Sequence, residues 1–338
     1  MSQRKLSRQQ RWRIEKVQSE RARRAEKRER RDRRQLAEGE YGDEEPGRVV
    51  AHFGRHLEVE DSEGLRHRCH LRANLDPLVT GDRVSWRRAA DETGVVEARL
   101  ERTSTLERPD ARGQLKSVAA NIDRIMIVFA VEPAPHPFLI DRYLVAAEAT
   151  DITPALVLNK IDLLDDEHAL HALAARYRAL GYAVIGACTR HAGGLAALES
   201  ALSDTTAVFV GQSGVGKSSL IDALLPEQTL RVGELSRDSR KGRHTTTTAR
   251  LYHFRGGGAL IDSPGIREFG LGHLDERRIE AGFIEFHPWL GRCRFRDCRH
   301  RQEPGCAILA AVERGDIAPE RLESFRRIVD DSAPSRGG

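Results

Sequence analysis

The hydrophobic pattern changes character several times along the chain. Residues 1–40, with RRAEKRERRDRRQ at their centre, have almost no apolar positions and present no face for a core. Residues 46–102 alternate in short stretches, HLEVE, RHRCHL, DRVSW and GVVEARL, set apart by Gly, Asp and Pro. Period-two alternation in short, evenly spaced runs predicts strands, and at this length an OB-like β-barrel. From about residue 118 the apolar runs become nearly continuous: RIMIVFAV, PALVLN, YAVIGA, AVFVG and GALIDS. Helical stretches such as DEHALHALAARYRALG and GKSSLIDALL lie between them. Strands apolar on both faces and alternating with helices predict a mostly parallel sheet. After about residue 273 the pattern is helical (RRIEAGFIEFHPWL, AILAAVERG, PERLESFRRIV) and is interrupted by a Cys/His-rich loop. The expected organisation is a basic tail over 1–44, a barrel over 45–110, an α/β domain over 111–272 and a helical domain over 273–338.

Charge and cysteine content narrow the class. The net charge of +4 conceals a split: residues 1–40 carry 15 Lys and Arg against 7 Asp and Glu, and the remainder is net −4. Basicity is therefore a property of the tail. The tail is either a solvated segment or an arm that folds on nucleic acid. The longest apolar run, Ile125 to Val131, is far shorter than the ~20 residues a spanning helix needs. The N-terminus lacks the apolar core of a secretory signal, and its acids argue against a transit peptide. Three of the five cysteines lie within residues 293–306, which points to metal in a reducing compartment rather than to disulfides. A cytoplasmic protein without membrane attachment is expected, and nothing in the pattern calls for an obligate dimer.

Two motifs carry the chemistry. GQSGVGKS fits the phosphate-loop pattern, and its context supports it: it follows the strand-like AVFV and opens a helix. Gly211, Gln212, Ser213, Gly214, Val215 and Gly216 would cradle phosphate oxygens with backbone N–H groups, assisted by the helix N-terminus around Ser218 and Ser219. Lys217 would neutralise the β- and γ-phosphates, and Ser218 would coordinate Mg2+. Downstream, ALIDSPG ends an apolar run in Asp262, suited to a Mg2+-bound water, with Gly265 placed to offer an amide to the γ-phosphate. Between them GRHTTTT lies in a polar stretch and predicts a loop ordered by the γ-phosphate. Chemistry alone does not choose among its threonines.

NKID also follows an apolar strand. Asp162 would accept from guanine N1–H and the 2-amino group, an arrangement that adenine does not offer. Asn159 would tie this loop to the phosphate loop, and the Lys160 stem would lie over the base. In an ordinary small GTPase the phosphate loop precedes NKxD; here it follows. Ligands of open α/β sheets sit at the carboxyl ends of strands whatever the order of connection. Both halves thus fit one site if the fold is circularly permuted. The chain then runs from Gly265 straight into the C-terminal region.

The Cys/His loop reads C-x4-C-x-H-x5-C, with Cys293, Cys298, His300 and Cys306. Three thiolates and one imidazole close a tetrahedron and leave no position for water, so the expectation is a structural zinc. Five arginines interleave this loop; some would offset the thiolate charge, and the rest would be free for phosphates. Ile266 stands where many GTPases place a water-orienting Gln. Two readings follow: a partner completes the site, or His244, two residues before Thr246, handles the water.

The order NKxD, GxSGVGKSS, GRHTTT, DSPG, between a barrel and a Cys/His cluster, resembles the RsgA (YjeQ) family over about residues 46–330. Members are bacterial, circularly permuted GTPases that act late in small ribosomal subunit maturation. The resemblance implies an OB-fold domain, a permuted P-loop GTPase domain and a helical zinc-binding domain. It also implies GTP hydrolysis stimulated by the small subunit, contact with its 16S rRNA, and Thr246 as the Mg2+-sensing threonine. The basic tail is not a fixed part of that pattern. The usual Ser-Ala base-binding pair is replaced by Gly186 to Cys188, so no residue is assigned there. The alternative function is an RNA-binding assembly factor with a mainly structural nucleotide.

Overall fold

The computed structural model describes residues 41–53, 56–72, 75–90, 93–110, 113–225, 249–263, 266 and 274–332. The basic tail to residue 40, the loop carrying His244 and Thr246, and Gly265 lie outside the described residues. The described residues fall into two compact units, divided at Leu78–Val79, Gly81–Asp82 and Glu101–Arg102.

The first unit contains β1 (Tyr41–His52), β2 (Leu57–Glu60), β3 (Arg66–Leu71), β4 (Arg83–Ala89) and β5 (Thr93–Arg99). They hydrogen-bond in the order β1-β2-β3-β5-β4, and β4 pairs back onto β1 to close a five-stranded barrel. The β3–β5 pair is parallel and the others are antiparallel. Alternation sets the faces: in β3, His67 and Cys69 point inward while Arg66 and Arg68 are exposed. Val49, Leu57, Val59, Cys69, Val84, Val96 and the fully buried Trp86 fill the interior. Burial pushes the Cys69 thiol up to about 12, so it stays protonated and serves packing.

The second unit opens with a two-stranded ribbon, β6 (Thr105–Pro109) and β7 (Leu115–Ala120). Its main sheet comprises β8 (Arg124–Ala130), β9 (Thr153–Asn159), β10 (Ala183–Ala187), β11 (Thr206–Gly211), β12 (Arg250–His253) and β13 (Ala259–Asp262). Their order is β10-β9-β8-β11-β13-β12, parallel except for β12. The helices are α1 (Pro137–Glu148), α2 (Leu170–Ala179), α3 (Ala196–Leu202) and α4 (Lys217–Leu224). Met126, Val128, Val157, Phe209, Leu220 and Leu260 belong to one core cluster, as expected for central strands apolar on both faces.

The C-terminal part of this unit contains α5 (Glu276–Ala281), a 3-10 turn (Ile284–Trp289), α6 (Ala307–Arg314) and α7 (Pro319–Ser332). The rings of Phe283, Phe286 and Phe325 stack and cross with centroids 5.0 to 5.7 Å apart. Beneath them Arg321 of α7 is only 2 % exposed. It bonds Asp141 of α1 and both carboxylate oxygens of Glu285, and its guanidinium lies 4.5 Å from the Phe283 ring centre. Burial alone would favour the neutral form; Asp141 and Glu285 reverse that and hold Arg321 charged. This buried ion cluster joins the C-terminal helices to α1. Among the described residues no helix is long and apolar enough to cross a membrane.

Candidate functional site

NKID leaves the carboxyl end of β9, and the phosphate loop leaves the carboxyl end of β11. Only β8 lies between these strands, and all three run in parallel. Asp262 ends β13, the next strand beyond β11. The motif residues are therefore gathered at one edge of the sheet, although NKID precedes the phosphate loop in the chain.

Direct bonds join the two motifs. Asn159 is buried, and its Nδ2 donates to the Val215 carbonyl at 2.9 Å. Lys160 adopts a left-handed backbone (φ 60°), and its Nζ donates to the carbonyls of Glu132 at 2.5 Å and Gly214 at 3.2 Å. Two glycines make this proximity possible. A Cβ at Gly216 (φ +92°) would lie 2.4 Å from Asn159 Nδ2, and one at Gly211 (φ +138°) would lie 2.1 Å from the Val128 carbonyl oxygen. Gly216 in turn caps α4, so the helix N-terminus at Lys217 and Ser218 faces the loop. Lys217 Nζ donates to the carbonyls of Gly211 at 2.7 Å and Gln212 at 2.6 Å. Its ammonium is thus held across the loop's own mouth, where a phosphate group would meet it.

Asp162 has a partner that spacing did not assign. The buried Cys188, at the end of β10, donates from Sγ to Asp162 Oδ1 at 3.1 Å. Its sulfur accepts from the Arg190 backbone N–H at 3.3 Å, and the Arg190 guanidinium is 3.6 Å from Asp162 Oδ2. The Cys188 thiol first, and then Arg190, hold the Asp162 carboxyl below the usual carboxylate range despite an opposing effect of burial. The carboxylate is therefore charged, with Cys188 at one oxygen and Arg190 near the other. The signal available in the sequence was a Cys in the stretch after β10, where a Ser-Ala pair is usual. Ile266 is buried and has no polar group to offer a water.

The four residues of the Cys/His loop converge. Each contributes one ligand atom, and these atoms all lie within 4.8 Å of one another. His300 Nδ1 is 3.6 Å from the sulfurs of Cys293 and Cys298 and 3.1 Å from that of Cys306. The Cys293 and Cys306 sulfurs are 3.9 Å apart. A tetrahedral zinc with ordinary bond lengths requires S···S of about 3.8 Å and S···N of about 3.6 Å, so the donor set fits the ion. Glu280 of α5 accepts from His300 Nε2 at 2.7 Å, which directs Nδ1 to the cluster. Backbone N–H groups of Ala307 and Leu309 point at the Cys293 and Cys306 sulfurs. Glu280 is twenty residues upstream of His300, and nothing in its local sequence marks it.

The family model described as RsgA GTPase matches residues 99–272. The chain is 70% identical over 335 residues to a Chromohalobacter salexigens protein described as small ribosomal subunit biogenesis GTPase RsgA, covering 98% of each. It is 57% identical to the protein so described in Pseudomonas fluorescens, covering 97% of this chain and 98% of that one. Among solved structures it resembles YjeQ from Thermotoga maritima (TM-score 0.71, 30% identity, 87% of this chain and all of that one). It also resembles YloQ, described as a circularly permuted GTPase (TM-score 0.69, 29% identity, 86% of this chain and 97% of that one). With a matched model over half the chain and relatives this similar along almost its whole length, the chain belongs to the RsgA GTPase family.

Proposed function

We propose that the chain is a GTP hydrolase that binds the small ribosomal subunit, through contacts that include 16S rRNA, and acts in its late maturation. Hydrolysis yields GDP and phosphate and is stimulated by the subunit. The observation that carries this is the Asn159–Val215 bond between two motifs in permuted order, in a chain 70% identical to a relative of that description.

Asp162 reads the guanine edge, Asn159 locks the base loop to the phosphate loop, and Lys160 lies along the base. Amides of residues 211 to 216 and the α4 N-terminus hold the phosphates. Lys217 exchanges its two carbonyl bonds for phosphate oxygens and stabilises charge as the γ-phosphoryl leaves. Ser218 and Thr246 are assigned to Mg2+, Asp262 to its water, and Gly265 to the γ-phosphate; the ion would neutralise developing charge on the phosphate oxygens. Ile266 offers nothing to the attacking water, so His244 is assigned to it and slow unassisted turnover is expected. Cys293, Cys298, His300 and Cys306 hold a structural zinc in the helical domain beyond residue 273. The protein acts as a monomer in the cytoplasm.

The test is GTP turnover by purified protein with and without purified small ribosomal subunits. Stimulation that falls with salt is expected, because counterion release governs contacts with phosphate. Bound GTP without stimulation would favour a structural nucleotide.

A further inference from the structure

The zinc loop presents an aromatic ring in an unusual setting. Phe295 is 42% exposed, one of the few large apolar side chains so exposed among the described residues. Its neighbour Arg294 places its guanidinium 5.5 Å from the ring centre. Arg292, Arg296 and Arg299 are also exposed, and among the described residues none of these four arginines forms an ion pair. The nearby arginines that do have partners are used otherwise: Arg301 pairs with Asp330, and Arg326 donates to the His300 and Arg301 carbonyls. Trp289 differs from Phe295 in being half-buried, with Arg314 4.7 Å and Arg292 6.0 Å from its ring centre.

The loop is fixed before any partner arrives. Besides the four converging metal ligands, the Glu303 carboxylate accepts from the backbone N–H groups of Arg299, Arg301 and Gln302 at 2.8 to 3.0 Å. Arg294 N–H bonds the Gly305 carbonyl at 3.0 Å. A ring held out on such a loop loses little freedom when it is covered.

We propose that Phe295 is a stacking platform for one unpaired base of single-stranded RNA, with Arg294 beside the ring and Arg292, Arg296 and Arg299 meeting the flanking phosphates. The inference rests on the proposed role at the small subunit and names the form of RNA that this surface takes. Four unpaired cations complement a polyanion. A lone exposed ring suits a splayed base, because every base has a π-face, whereas duplex RNA keeps its bases stacked inside. An apolar protein patch would want more than one ring and fewer charges around it.

The experiment uses the full chain with a non-hydrolysable GTP analogue, a fluorescent ten-nucleotide polyuridine and a ten-base-pair RNA duplex. The native chain should bind the single strand more tightly than the duplex. Phe295→Ala should weaken single-strand binding roughly tenfold without changing the salt slope or the zinc content. Phe295→Trp should retain it. Arg296→Gln should instead lower the salt slope by about 0.7, the value for one phosphate contact on a single strand. Single-strand binding by Phe295→Ala equal to the native chain, or equal binding of strand and duplex, would overturn the platform while leaving the small-subunit role intact. Loss of subunit association in Phe295→Ala with unchanged RNA binding would place a protein on the ring and also overturn it. If the native chain bound neither RNA nor subunits, the function and the platform would fall together.

Discussion

The nucleotide site and the metal cluster solve the same problem, convergence of distant polar groups, in opposite ways. The cluster draws all four ligands from residues 293–306, and the backbone between them does most of the placing. The nucleotide site draws on the ends of β9, β10, β11 and β13, and the sheet does the placing. Spacing suffices to recognise the first kind of site; the second kind depends on topology. That is why chain order can be rearranged in the nucleotide site without dispersing it. Strand neighbours fix its geometry, and strand connectivity does not.

The largest effect expected from this contrast is at the cluster. Cys298→Ser should lose the metal and open residues 275–332 to hydrogen exchange, since structural zinc contributes on the order of 10–16 kcal/mol to small metal-dependent folds. Exchange in β8, β9 and β11 should stay protected. Metal content and exchange mass spectrometry check both halves, and full occupancy in the variant would refute the ligand set.

A smaller loss is expected where the two regions are joined. Arg321→Ala leaves Asp141 and Glu285 without their buried cation, which should cost about 3–5 kcal/mol in urea denaturation. Arg321→Met, which keeps the packing against Phe283, should not rescue it, because the uncompensated carboxylates remain. If either variant unfolds with native stability, the helices are held by their aromatic cluster alone.

The smallest effect lies within the nucleotide site. Cys188→Ala removes one donor to Asp162 and should weaken GDP binding about fivefold, while Cys188→Ser, which keeps a donor, should bind nearly as the native chain. Titration calorimetry of both variants distinguishes a lost hydrogen bond from a lost volume, because a volume effect would appear in both.

The contrast also explains what was legible in the sequence. The apolar runs at 124–131, 154–159 and 207–211 announce buried parallel strands because both faces are covered, and the alternating runs of β3 and β4 announce a barrel wall because only one is. The Cys/His spacing is complete in itself. Glu280 was not legible, because a glutamate on an amphipathic helix looks solvated until His300 is folded onto it. Arg321 was hidden for the same reason: in PERLESFRRIV it is one charge among several, and its partner Asp141 is 180 residues away. Cys188 stands in the stretch where a Ser-Ala pair is usual, but only the parallel pairing of β10 with β9 brings it to Asp162. Glu280 and Arg321 act through long-range contacts that leave no periodic or local trace.

The central claim is that NKID and the phosphate loop form one guanine-nucleotide site despite their reversed order. The most direct measurement is the base preference of Asp162→Asn, read as subunit-stimulated turnover with GTP and with xanthosine triphosphate. Exchanging the carboxylate for an amide replaces an acceptor facing the base 2-position with a donor. The account predicts that GTP turnover at limiting nucleotide falls by two or more orders of magnitude and that xanthosine triphosphate becomes the better substrate. A variant that kept the native preference for GTP would remove NKID from the site and contradict the permuted arrangement.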